Sequence, residues 1–165
     1  MTSPLRVLAL LAIAVTGATG CEDPPPAHCV YEGTPMLSMT PRKGEGTLDG
    51  DVTDLPAFPA PQGVPASEID FELTGIDQED ITTIHVTVVA DTLGTISDAT
   101  YTPESIGFVC RESGGVIVRN LPVAYGQPIS IVQDLEMVTG TLTVDITGLS
   151  PMNESYPVEM RVTSY

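Results

Sequence analysis

Glu68-Ile69-Asp70-Phe71-Glu72-Leu73-Thr74 decides the fold class of this chain. Its apolar side chains fall on every second residue and its acids fall between them. A strand sends alternate side chains to opposite faces, so this pattern predicts a strand with one dry and one wet face. The same period returns three times. Ile84, Val86, Val88 and Ala90 alternate with Thr83, His85 and Thr87, and Leu142, Val144 and Ile146 with Thr141, Thr143 and Asp145. Val158, Met160 and Val162 alternate with Glu159, Arg161 and Thr163. Less regular strand-like runs cover Met36–Thr40, Thr95–Tyr101, Ile106–Arg111, Val116–Leu121 and Ile129–Val138.

No stretch carries a sustained helical stripe. Gln78–Ile81 and Thr102–Ser105 suit one helical turn each, with Asp80 as a capping residue for the first. Turn residues separate the strands at short intervals: Gly75-Ile76-Asp77, Asp91 to Gly94, Ser113-Gly114-Gly115, Thr139-Gly140 and Gly148 to Asn153. Asn153-Glu154-Ser155, an acceptor pattern for glycosylation, reads as part of that last turn. Asp54 to Ala66 holds four prolines and reads as an extended surface loop. The whole pattern predicts an all-β domain over residues 28–165, an antiparallel β-sandwich of eight or nine strands, immunoglobulin-like or jelly-roll-like. A true immunoglobulin domain fits poorly, because it packs a tryptophan on a core disulfide and this chain has no Trp. A transmembrane barrel wants aromatic girdles, and only 5% of the residues are aromatic.

Residues 1–20 have the layout of an export signal. Arg6 supplies the positive start, Val7 to Val15 an apolar run, and Thr16 to Gly20 the small residues of a cleavage region. The run is shorter than the ~20 residues of a spanning helix. Ala18-Thr19-Gly20-Cys21 resembles the lipobox of bacterial lipoproteins, with Ala18 where that family usually has a larger aliphatic residue. The resemblance implies that Cys21 is diacylated and becomes the first residue of the mature protein. It implies a membrane partner reached through the N-terminal lipid, on the periplasmic side or outer surface of a Gram-negative-type envelope. Cleavage by an ordinary signal peptidase would instead give a secreted soluble protein. Residues 21–27 then form a tether, whose Pro24-Pro25-Pro26 favours an extended run.

Of the three cysteines, lipidation uses Cys21 and leaves Cys29 and Cys110 to pair in an oxidising compartment. The 22 acids against 6 Lys and Arg give a net charge of -16, which repels phosphate and argues against nucleic-acid binding.

Asp49, Asp51 and Asp54 form an acidic stretch whose carboxylates suit Ca²⁺, the one cofactor this sequence suggests. The stretch lacks the glycine and closing glutamate of an EF-hand loop, so a plain turn is the competing reading. Met36, Met39 and His28 evoke a copper site, but residues three apart on a strand face opposite ways, and Cys110 lacks the His and Met that follow a cupredoxin cysteine. There is no Gly-x-Ser-x-Gly elbow and no phosphate-cradling glycine loop, and His85 sits on a polar strand face, so no enzyme is expected. The expected role is an interaction or structural module that docks a protein partner in the envelope by an exposed sheet edge. A calcium- or glycan-dependent adhesin is the alternative.

Overall fold

The computed structural model describes residues 33–41, 52–61, 63–110 and 115–163. They form β1 (Met36–Pro41), β2 (Thr53–Pro59), β3 (Pro65–Thr74), β4 (Ile81–Ala90), β5 (Gly94–Tyr101), β6 (Phe108–Cys110), β7 (Val116–Ala124), β8 (Thr139–Gly148) and β9 (Met152–Val162). Three short 3₁₀ turns lie between them: Gln78–Asp80, Pro103–Ser105 and Val132–Leu135. The chain is all-β, as the alternation requires.

The strands make one curled sheet in the order β5-β4-β8-β9-β2-β3-β7-β6, with β1 also on β3. β2 is the hinge of this arrangement. Its first five residues run parallel to β9, from Thr53 opposite Val158 to Ala57 opposite Val162. Its last two turn to β3, antiparallel, with Phe58 opposite Ala66. β1 takes the rest of that edge of β3, from Met36 opposite Thr74 to Pro41 opposite Ile69. The sheet thus has a limb of β1, β3, β7 and β6 and a limb of β5, β4, β8 and β9, joined through β2.

Burial follows the sequence pattern. Ile69, Phe71 and Leu73 of β3 are buried, as are Ile84, Val86 and Val88 of β4, Leu142, Val144 and Ile146 of β8, and Val158 and Met160 of β9. Residues from both limbs belong to a single core cluster, so the two inner faces share one dry interior. Burying each such side chain stabilises the fold by about 1.5–3 kcal/mol relative to exposure.

Several expectations need correction. The sheet is mixed rather than wholly antiparallel, because β2 and β9 run the same way. The proline-rich stretch from Asp54 is mostly strand: Leu55, Ala57 and Phe58 enter the core. Pro56 and Pro59 are tolerated because β2 pairs with β9 along one part and β3 along another, so neither flank needs every N–H. Ile129–Val138 is not a strand but a loop with a 3₁₀ turn, in which Val132 and Leu135 supply the buried face. Thr139-Gly140 and Asn153-Glu154-Ser155 are paired in β8 and β9 rather than in turns, with Gly140 opposite Val158 and Ser155 opposite Thr143.

The ends of the strands are held by side chains placed for that work. Asp77, not Asp80, caps the first 3₁₀ turn, its Oδ1 accepting the Glu79 N–H at 3.1 Å. Asp70 accepts the Asn120 N–H at 2.8 Å, across a register shift between β3 and β7. Asn120 has φ 57 there, a conformation asparagine tolerates better than most residues.

Candidate functional site

The two ends of the domain differ in what their loops present. Gly33, where the described chain begins, lies beside the end of β3, since Met36 is opposite Thr74. Thr34 and Pro35 cross Gly75 so closely that a Cβ on that glycine would meet the Thr34 carbonyl carbon at 2.5 Å. The opposite end is built from the turns at residues 60–64 and 91–94 and the loop at residues 125–138. β3 is ten residues long, so the two ends lie roughly 30 Å apart at the usual strand rise.

Both ends expose apolar side chains, Met36 and Leu149 at the near one and four others at the far one. Val64 is 42% exposed, Leu93 38%, Ile131 55% and Met137 64%. Met137 also has φ 58, a strained setting for a long side chain, fixed by its N–H to the Met160 carbonyl at 3.0 Å. Two adjoining recesses open beside Val64. One, of about 370 Å³, is lined by Ser97, Asp98 and residues 124–127, and the other, of about 410 Å³, by Pro65, Ile129 and Ser130. Both share Val64, Tyr125, Gly126 and Gln127.

The walls of these recesses are rigid. Tyr125 is buried and its hydroxyl lies 2.7 Å from that of Ser67, itself fully buried. Burial pushes the Tyr125 phenol well above its ordinary range, and the Ser67 hydrogen bond offsets only part of that rise. The Tyr125 N–H donates to Pro65 O at 2.9 Å and the Gly126 N–H to Ile96 O at 2.8 Å. The Gly126 bond bridges the two limbs across the recess. Asp134 accepts the N–H groups of Ser130 and Ile131 at 3.0 and 3.1 Å, and both hold its carboxyl below the usual range. Ser97 is the exception. It is 4% exposed, and its hydroxyl has no hydrogen-bond partner among the described residues.

The lateral edges are poor docking strips. β1 is bounded by Pro35 and Pro41, β6 has three residues, and β5 carries a register shift opposite Val88 and Val89. Prolines, bulges and short length are the usual means of blunting an edge against strand addition. The outer face of the second limb is a lattice of small polar groups that satisfy one another. Thr83 and Thr147 meet at 2.6 Å, Thr143 and Ser155 at 3.0 Å, and His85 and Asp98 at 2.7 Å. His85, expected on the wet face, is there with a carboxylate beside it.

The residues singled out from sequence are scattered. Cys21, Cys29, Asp49 and Asp51 lie outside the described residues. Cys110 ends the edge strand β6 and is exposed. Asp54 stands in β2 rather than a loop, its Oδ1 3.9 Å from Arg161, which also meets Glu159 at 2.6 Å. Among the described residues, no three His, Cys, Asp or Glu side chains come together to hold a metal. Sequence reading missed the far-end recesses, since Tyr125 and Ser97 carry no motif. The Gly126-Gln127-Pro128 break after an apolar strand was the available signal. Compared with protein-family models, curated proteins and solved structures, the chain matches none of them.

Proposed function

We propose that this protein is an immunoglobulin-like β-sandwich, tethered in the bacterial cell envelope by a lipid on Cys21, that docks a protein partner. The strand order supports the sandwich. With β1 as A, β1-β3-β7-β6 follows the A-B-E-D order of that fold, and β5-β4-β8-β9 follows C′-C-F-G of its variable type. Phe71 on β3 and Leu142 on β8 fill core positions on the B and F strands of that order, the two that a disulfide joins in antibody domains. In this reading the role of core staple passes to apolar packing.

One observation carries the functional reading: the end away from Gly33 exposes Val64, Ile131 and Met137 and opens two recesses beside Val64, while Met36 and Leu149 are the apolar side chains exposed at the near end. A tether over residues 21–27 would therefore hold Val64, Ile131 and Met137 away from the membrane, towards whatever lies beyond it. The surplus of acid suits the same arrangement, because a domain this negative is repelled by anionic headgroups. Pairing of Cys29 with Cys110 would fasten the entering chain to β6. The blunted edges turn the docking mode away from strand addition and towards the loops.

The test is fractionation of cells making the wild type or Cys21→Ser. The wild type is expected in the membrane fraction, labelled by fatty acid, and the variant in the soluble fraction. Equal membrane retention of both would overturn the anchor, and release of both would make the protein a secreted one.

A further inference from the structure

We propose that the cleft between Ser97 and Tyr125 is a docking site for a protein segment that inserts an apolar side chain flanked by lysine or arginine. This deepens the docking role proposed above and rests on it. The cleft has what an anchor pocket needs: two adjoining recesses of about 370 and 410 Å³ with a shared apolar wall at Val64 and Tyr125. Interfaces concentrate their affinity where one side chain fills a desolvated pocket on a rigid frame. The frame here is held by the Gly126-to-Ile96 and Tyr125-to-Pro65 backbone bonds.

One observation independent of shape points to an occupant. Ser97 buries a hydroxyl with no partner among the described residues, although buried polar groups are ordinarily paired. An arriving backbone amide or carbonyl would satisfy it.

Charge selects the flanks of the guest. Asp98 lines the first recess, and Asp134 and Glu136 stand on the loop that lines the second. The described residues contain fifteen acids and only two Lys or Arg, Arg119 and Arg161, so a basic segment is steered in and an acidic one repelled. Strand addition along β5 is not the mode, because Gly126 already takes the Ile96 carbonyl.

The experiment titrates the isotope-labelled full chain with a capped lysine–leucine–lysine peptide while following backbone amide resonances, with no membrane present. Saturable shifts are expected at residues 95–98 and 125–130. Val64→Ser should weaken binding roughly tenfold, the factor for one buried aliphatic group. Ser97→Ala should weaken it about fivefold, the factor for one net hydrogen bond, without lowering the unfolding midpoint of the free protein. Shifts absent at millimolar peptide, equal binding of a glutamate–leucine–glutamate peptide, or unchanged affinity in Ser97→Ala would each overturn the proposal. None of these outcomes bears on the lipid, which the Cys21→Ser fractionation decides separately.

Discussion

The hydroxyls of Ser67 and Tyr125 meet at 2.7 Å in the interior, joining β3 to the end of β7. Each is the only polar group its side chain carries, so neither can be removed without stranding the other. Tyr125→Phe should cost about 1–3 kcal/mol by leaving Ser67 unsatisfied. The double variant Tyr125→Phe, Ser67→Ala should recover part of that loss. Denaturant unfolding of the four proteins closes the cycle, and strictly additive losses would refute the coupling.

The same phenol sets an alkaline limit. Burial raises the Tyr125 pKa above its unfolded value of about 10, so above that pH the native state holds a proton the unfolded chain has lost. Stability is then complete below pH ~10 and falls as pH rises past it, by about 1.4 kcal/mol per pH unit from this group. Tyr101 and Tyr156 are shifted the same way, both chiefly by burial, with the Glu154 charge adding to the rise at Tyr156. Unfolding midpoints between pH 9 and 11 should slope downward, and less steeply in Tyr125→Phe.

Gly148 and Gly63 both have positive φ but differ in what surrounds them. A Cβ at Gly148 would sit 1.8 Å from the Asp80 carbonyl oxygen, whereas one at Gly63 meets nothing within 4 Å. Gly63→Ala should cost only the conformational term, about 1–2 kcal/mol. Gly148→Ala adds a backbone collision and should cost more, with a lowered thermal midpoint as the readout.

The proposed Cys29–Cys110 bridge predicts a free-thiol count and a stability effect. Denatured, unreduced protein recovered from cells should show no reactive thiol at either position. Reduction should lower stability by about 4–5 kcal/mol if the bridge acts by restricting the unfolded chain. Two titratable thiols in the unreduced protein would dismiss the pairing.

Where the chain packs one face inward, sequence alone disclosed it. Ile69, Phe71 and Leu73 lie where alternation put them, as do the inner residues of β4, β8 and β9. Legibility failed where a strand changes partners or a loop is buried. β2 is rich in proline because its two halves pair with different strands, and local composition cannot register a partner a hundred residues away. The 3₁₀ turn at Val132–Leu135 buries Val132 and Leu135, so its apolar content resembled a strand. The far-end cleft was invisible for a related reason. It is assembled from β5, the turn before β3 and the loop after β7, and its buried Ser97 hydroxyl, without a partner among the described residues, matters only because of what tertiary packing puts around it.

The allegiance of β2 to β9 also fixes an order of events. A chain that emerges N-terminus first delivers β2 long before β9, more than ninety residues later, and until then the parallel seam cannot close. Such long-range pairing is slow to form and keeps the limbs apart while the rest of the chain is still in transit. Closure of the whole domain is thereby postponed until β9 has been made.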